Sequence, residues 1–240
     1  IWFDLSMSPG NPMPNYYAAS SGVAFALAQS TNGGIYHGGS VGSLGYTKYL
    51  TTFAATTATG AVVPLPILLC DYLMFYPFID MSITDYQPVT TDITLPRYPT
   101  GAGVKIMAVE VASQSGSGNP QFQVTYTNQD GVSGRNTYPV ACNTQVINGT
   151  IINTAPNTAF CNSPFLPLQA GDTGVRQIDG IQFLTADLGL ITLVLVKVVE
   201  NHIIRTTDAW AERSCFTDFS SLPVIADDAY LNLLCCTNGT

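Results

Sequence analysis

The sequence predicts an all-β chain, an antiparallel β-sandwich of jelly-roll type with an extended N-terminal arm and few short helices. The clearest evidence is segment 121–128, where Phe122, Val124 and Tyr126 alternate with polar residues. This alternation is typical of a half-buried antiparallel strand. Strand-like runs recur about every 8 to 15 residues over much of the chain, with turn signals between them. Short strands at such spacing are typical of sandwiches and jelly rolls.

Residues 1–60 are predicted to form an extended arm and loops rich in glycine and proline, ahead of a β-sandwich domain over 61–240. Pro9, Pro12 and Pro14 argue against a helix interior or a central strand in the arm, because proline lacks the amide donor and fixes φ. The arm is therefore expected to be extended and to pack on its own domain or on a neighbouring subunit.

The strongly apolar run 61–80 predicts one or two buried strands, with a short buried helix over 68–75 as the alternative. Periodicity alone does not separate the two in so short a run. The threonine-rich segment 48–58 is compatible with one short helix. Further strands are predicted at 104–113, at 121–128, in a polar stretch that ends near 140, and at 144–154, 174–184, 191–199 and 227–236. The predicted core residues on these strands are Phe122, Val124, Tyr126, Ile181, Phe183, Leu193 and Leu195.

Charged residues are unusually scarce in this chain. They make up 10% of it, against about 25% in an ordinary soluble domain, while 46% of the residues are hydrophobic. A lone domain normally keeps itself dispersed with interspersed surface charges. We therefore expect much of the surface to be covered by neighbouring subunits, or to present a neutral, hydroxyl-rich exterior.

The charges that are present argue against two kinds of partner. Sixteen acidic and eight basic residues give a net charge of −8, and the basic residues are scattered singly. A surface that follows nucleic-acid phosphates needs clustered lysine and arginine, so we expect no nucleic-acid partner. The most apolar run, 190–199, has about half of the roughly 20 residues that a membrane-spanning helix needs, so we expect no membrane partner.

The six cysteines show no metal-binding spacing. No C-x-x-C pair occurs, and no histidine lies at zinc-ligand spacing from a cysteine. Cys142 and Cys161 flank a polar, turn-rich stretch and are the best candidates for a disulfide. The preferred interpretation is that all six are buried or partly buried free thiols.

No catalytic motif is evident, and we predict that the protein is not an enzyme and binds no cofactor or metal. His37 lies in a glycine-rich loop and is expected to be solvated or at an interface, whereas His202 is expected to end a strand. No nucleophile elbow, zinc-protease or phosphate-loop motif occurs. A glycosidase needs two facing carboxyl groups. The closest carboxylate pairs, which we interpret as turn caps, are Asp80 with Asp85 and Asp227 with Asp228.

Four segments of the chain resemble a protein type encoded in tailed-bacteriophage genomes: IWFDLSMSPGNPMPNYYAAS, LPRYPTGAGVKIMAVEVA, YTNQDGVSGR and PFLPLQAGDTGVRQIDGIQFLTADLGLITLVLVK. The similarity covers residues 1–200, and the rest matches less clearly. These motifs carry no known chemistry, so no catalytic residue is transferred. The resemblance implies a capsid-associated virion structural protein of the decoration, cement, minor capsid or head-fibre type, located in the virion and assembled in the host cytoplasm.

Such a protein is expected to form a homo-oligomer and to bind other capsid proteins. Trp2, Phe3, Tyr16 and Tyr17 are the interface candidates, because large aromatic residues near a chain terminus make sense if they dock on something. The alternative for the arm is that it folds back on its own sandwich. The alternative for the function is a receptor- or glycan-binding module of a fibre or tail, in which the 12 tyrosines would stack on sugars.

Overall fold

The structure is a computed structural model that describes residues 1–7, 16, 20–38, 41, 44–58, 60, 63–113, 120–142, 147–153, 163–218 and 220–237. With 47% strand and 7% helix, the predicted antiparallel all-β class is confirmed. The strands are β1 Trp2–Asp4, β2 Phe25–Ala26, β3 Lys48–Tyr49, β4 Thr52–Ala55, β5 Leu65–Asp80, β6 Gln87–Pro88, β7 Val104–Ala112, β8 Gln121–Asn128, β9 Arg135–Asn136, β10 Val140–Ala141, β11 Val175–Phe183, β12 Leu190–Ile204, β13 Ala211–Ser214, β14 Val224–Ile225 and β15 Leu231–Cys236. The helices are α1 Gln29–Asn32 and α2 Cys215–Asp218, and Leu5–Met7 form one 3-10 turn.

The largest sheet places the first and last strands of the chain side by side. Its strands run in the order β1, β15, β5, β12, β7, and every neighbouring pair is antiparallel. β2 pairs with the part of β5 that lies beyond β15. β5 and β12 are the longest strands, because each is an apolar run that can be buried on both faces.

Residues 149–152 join the two edges of this sheet. On one side the amide of Asp4 in β1 donates to the carbonyl of Gly149 (2.8 Å). On the other side the amide of Glu110 in β7 donates to the carbonyl of Thr150 (2.9 Å). Both edge strands are therefore bonded to one short segment, and the sheet closes into a ring of hydrogen-bonded strands.

Large side chains fill the inside of this ring. Strand alternation points every second residue of β1, β7, β12 and β15 inward. Asp4 points the same way and is buried among them. The buried apolar side chains on this face include Trp2, Tyr72, Phe75, Val109, Val194 and Leu234.

A second sheet packs on the outside of the ring. Its strands run in the order β10, β8, β11, β6, and β9 pairs with β8. The core between the ring and this sheet contains all seven residues that the sequence predicted for the core, and each is 0% exposed. The sandwich-like prediction is thereby confirmed.

The short helix considered for 48–58 is not present, and the structure replaces it with two strands. β3 pairs with β14, and β4 pairs with β13. Threonine and aromatic residues suit short strands, and the distant partners decide the conformation.

The apolar run predicted at 61–80 contains one strand of 16 residues, β5, rather than two strands or a helix. Pro77 lies inside this strand at a register shift opposite Thr192. A bulge tolerates proline, because the regular ladder is interrupted there and no amide donor is required. The Pro77 carbonyl still accepts a hydrogen bond from the amide of Gly22 (2.8 Å).

The two small sheets cover the outside of the ring beside β5 and β15. Phe53 and Ile225 from these sheets pack with Leu69 of β5 and Leu233 of β15. Strands β1, β2, β3 and β4, from the first 60 residues, all pair with later strands. Over the residues that the structure describes, no helix is long and apolar enough to cross a membrane.

Candidate functional site

An apolar cleft lies between the ring and the two small sheets and has a volume of about 390 Å³. Leu69, Leu231 and Leu233 contribute to it from strands β5 and β15 of the ring. The other apolar side chains that line this cleft are Ile35, Tyr36, Tyr49, Leu50, Phe53 and Ile225. Tyr36 and Tyr49 are half or more exposed, so they form its mouth.

The alternation of β15 explains why leucines line this cleft. Leu234 and Cys236 face the interior of the ring, so Leu231 and Leu233 point outward. In an ordinary half-exposed strand these outward positions would be polar. Here they are apolar because the segments around Ile35, β3 and β14 cover them in part.

Three polar residues, His37, Lys48 and Asp227, hold the wall of the cleft, and we call them the polar latch. The Nε2 atom of His37 lies 2.9 Å from the Ala229 carbonyl, and the Nζ atom of Lys48 lies 2.8 Å from Nδ1 of His37. A carbonyl only accepts, so Nε2 donates and Nδ1 uses its lone pair to accept from the lysine. The imidazole is therefore neutral in this arrangement.

Asp227 balances the charge of the lysine. Its Oδ1 atom lies 3.4 Å from Nζ of Lys48 and also accepts a hydrogen bond from the amide of Val41 (2.9 Å). The polar latch thus has one positive and one negative group and carries no net charge.

The carboxylates that the sequence singled out have local structural partners. Asp228 accepts hydrogen bonds from the amide and the hydroxyl of Ser30 at the start of α1 (2.7 and 2.8 Å). Asp80 accepts from the amide and the hydroxyl of Ser82 (2.8 and 2.7 Å). The contacts of Asp80 are those of a turn cap. Asp228 instead binds a residue 198 positions away at the start of α1, and Asp227 belongs to the polar latch.

Two of the arginine–carboxylate pairs that lie elsewhere hold loops to strands. Arg97 forms a bidentate pair with buried Asp71 (2.7 and 2.9 Å). Burial raises the pKa of Asp71, and the Arg97 guanidinium works against that rise. Burial also acts to raise the pKa of Asp172, but hydrogen bonds from Arg135 and from its other donors lower it below its usual range.

Four of the cysteines described by the structure offer no activated thiolate. Cys70, Cys142, Cys215 and Cys235 are buried free thiols. Burial raises the pKa of each thiol, to about 11 for Cys235, so they are protonated near neutral pH. Cys161, the proposed disulfide partner of Cys142, lies outside the described residues.

Metal ligands do not converge in the described part of the chain, where no group of three or more histidine, cysteine, aspartate or glutamate residues could hold an ion. His37 belongs to the polar latch. His202 packs edge-on against Phe53, with ring centroids 6.0 Å apart.

The structure places two of the four predicted interface residues inside the chain's own core. Trp2 lies inside the ring, and Tyr16 is buried there with its hydroxyl 3.1 Å from a carboxylate oxygen of Asp4. Phe3 points to the outside of the ring and is half-buried. Tyr17 lies outside the described residues. The first residues of the arm thus pack on their own domain.

Five aromatic side chains are exposed on or near the two small sheets, and sequence reasoning did not single them out. Their exposed fractions run from 50% for Tyr49 in β3 to 74% for Trp210, which precedes β13. Phe216 lies in α2, directly after β13. We call Tyr36, Tyr46, Tyr49, Trp210 and Phe216 the aromatic face. The sequence does contain many aromatic residues in short segments that lack strand periodicity, and this pattern could have indicated the exposed rings.

Comparison of the chain with models of protein families, with curated proteins and with solved structures finds no match. The resemblance to bacteriophage proteins gains no support from these comparisons and stays a prediction.

Proposed function

We propose that the protein is a non-enzymatic structural component of a virus particle, associated with the capsid. In this proposal it attaches to copies of itself and to other capsid proteins through the aromatic face. The single observation that supports attachment most strongly is this group of half or more exposed tyrosine, tryptophan and phenylalanine side chains.

The composition of the aromatic face is that of a contact surface. Aromatic residues are enriched in the buried centres of protein interfaces, and charged residues are depleted there. Trp210 is the most exposed of the large hydrophobic residues that the structure describes, and leaving its indole in water is costly. Burial of such rings against a neighbouring subunit would provide the free energy of association.

Two further observations support a place in a large assembly. Only 10% of the residues are charged, which suits a surface that is largely covered. The described fold is a two-layer β structure with few helical residues, which suits a rigid building block. The resemblance of residues 1–200 to tailed-bacteriophage proteins supplies the assignment to a virus particle.

A glycan-binding module is the second candidate, because Tyr36 and Tyr49 present exposed rings at the mouth of the cleft. Aromatic rings can stack on sugars. The leucine and isoleucine side chains deeper in the cleft offer no partners for sugar hydroxyl groups. We therefore rank this function second.

The attachment proposal is tested by the double variant Trp210→Ser/Phe216→Ser. Light scattering over a range of protein concentrations should show self-association of the wild type and at least a tenfold weaker association of the variant. Tyr138→Ser is the control, because Tyr138 is also an aromatic residue more than half exposed but precedes β10 in the second sheet. Association that is unchanged in the double variant contradicts the proposed surface.

The assignment to a virus particle needs a separate measurement. Gold-labelled antibodies against this chain should bind, in electron micrographs, to particles of the virus whose genome encodes it. Particles that lack the label and contain no such chain by mass spectrometry contradict the assignment.

A further inference from the structure

We propose that the cleft is a binding site for a small, neutral, apolar molecule. This inference goes beyond attachment to a particle and does not depend on it, since it concerns the isolated chain. It is based on the shape of the cleft, the charge of its wall and the rigidity of the strands that form it.

The size of the cleft suits a small molecule. Its volume of about 390 Å³ lies within the range of about 300–1,000 Å³ for small-molecule sites. A fused two-ring aromatic molecule fits such a space.

The cleft is formed by elements that are already fixed. Leu69 lies in β5, which is paired with β12 on one edge and with β15 on the other. The opposite wall is held in place by a hydrogen bond from the amide of Leu50 to the carbonyl of Pro223 (2.9 Å) and by the polar latch. A preformed cleft binds without first ordering its own side chains, which saves free energy on binding.

The charge of the wall selects a neutral occupant. Among the residues that the structure describes, Lys48 is the only cation that lines the cleft, and Asp227 lies 3.4 Å from its ammonium group. The Nζ atom of Lys48 is also engaged with Nδ1 of His37. An anionic ligand would enter an apolar space in a chain of net charge −8 and would have to displace these contacts. A neutral ligand has no charge to remove from water when it enters, and the hydroxyl groups at the mouth can accommodate one polar group at its end.

Two fluorescent dyes provide a matched test of this site. N-phenyl-1-naphthylamine is neutral, and 8-anilinonaphthalene-1-sulfonate has the same ring system with one added sulfonate. Fluorescence titration of the wild type should show saturable binding of one neutral dye per chain. The sulfonate should bind at least tenfold more weakly.

Variants of two leucines locate the site. Leu50→Glu places a charge in the cleft and should weaken binding of the neutral dye at least tenfold. Leu50→Trp should weaken it similarly by filling the space without adding charge. Leu188→Glu is the control, because Leu188 is exposed in the turn before β12 and does not line the cleft. Circular dichroism checks that each variant is folded. Should both Leu50 variants fail to fold, Tyr49→Glu makes the charge test at the exposed mouth.

Four outcomes overturn the proposal. The first is a folded wild type that shows no saturable binding of the neutral dye, and the second is tighter binding of the sulfonate. The third is a folded Leu50→Glu protein that binds the neutral dye as the wild type does. The fourth is a folded Leu50→Glu protein that no longer self-associates, since a second copy of the chain would then occupy the cleft. None of these results bears on labelling of virus particles.

Discussion

Asp4 is a carboxylic acid inside the ring of strands, and neutral groups surround it. The hydroxyl of Tyr72 donates to its Oδ1 atom (2.8 Å), the hydroxyl of Tyr16 lies 3.1 Å from Oδ2, and the amide of Ser6 donates to Oδ1 (2.9 Å). Burial raises the pKa of Asp4, and these hydrogen bonds only partly oppose the rise. The folded protein therefore binds this proton more tightly than the unfolded chain does.

We predict that Asp4 makes the protein less stable as the pH rises. Its folded pKa is above its unfolded value, so its stabilising effect is complete below the ordinary carboxyl pKa of about 3.9 and is lost as pH rises through the raised value. The Asp4→Asn variant lacks this dependence. Urea unfolding at several pH values from 4 to 7 should show the wild type losing stability relative to the variant. Parallel curves for the two proteins contradict the prediction.

Arg97 and Asp71 form a buried ion pair, and we predict that breaking it destabilises the protein. The change Arg97→Met leaves a buried carboxylate without its cation and should cost about 3–5 kcal/mol of unfolding free energy. The double variant Arg97→Met/Asp71→Asn should recover part of that loss, because the buried charge is gone while an acceptor for the Tyr230 amide remains. Denaturant titration measures both. A double variant less stable than Arg97→Met alone would show that the charge is not the cause.

Strand β12 contributes buried side chains to the core between the ring and the second sheet. Leu193 faces that core and is fully buried. Leu193→Ala should therefore lower the free energy of unfolding by about 2–5 kcal/mol through lost burial and the cavity left behind. Leu188→Ala, at an exposed position, is the control and should change it little. A loss below about 0.5 kcal/mol at Leu193 would show that the facing of this strand is misassigned.

Strand β1 lies at one edge of the largest sheet, and we predict that the fold depends on it. Deleting residues 1–7 removes a strand that pairs with β15 and with residues 149–152, and it removes Trp2 and Asp4 from the interior. We expect loss of the near-ultraviolet circular dichroism signal and of a cooperative thermal transition. Phe3→Ser, on the outer side of β1, should keep both. A truncated protein with a normal thermal transition would mean that the arm is only an attachment.

The sequence predicted elements well where a pattern lies within one segment. The bounds of β8 follow from the alternation at 121–128, and β7 and β11 end within one residue of the strands predicted at 104–113 and 174–184. β12 extends five residues beyond the strand predicted at 191–199. β3 and β14 were missed, because a strand of two residues has no period and its distant partner alone defines it. The closure by residues 149–152 depends on hydrogen bonds between backbone groups, which have no side-chain signature.

The sequence could not predict the cleft, for a similar reason. Its lining comes from residues 35–37, 48–50, 53, 69, 225, 231 and 233, which only the fold brings together. His37 was expected to be solvated or at an interface, and the structure places it in the polar latch with both ring nitrogens engaged. Its partners lie 11 residues away at Lys48 and 192 residues away at Ala229.

The net charge of the protein predicts how its self-association responds to salt. The net charge of −8 makes copies of the chain repel one another, and salt screens that repulsion. Contact through aromatic rings is not weakened by screening. Raising sodium chloride from about 0.05 to 0.5 M should therefore leave self-association unchanged or strengthen it, as measured by sedimentation velocity. Dissociation at the higher concentration would indicate that ion pairs hold the copies together.

The ring also imposes an order in time on the making of this protein. During synthesis β5 leaves the ribosome about 150 residues before β15, the strand that covers one of its edges. At ~5–20 residues per second this interval is on the order of 10 s. Until then an apolar strand of 16 residues has an open edge to which other nascent chains could add. We therefore expect the yield of the protein in cells to depend on chaperones that bind the nascent chain, and to fall when slow translation delays the emergence of β15.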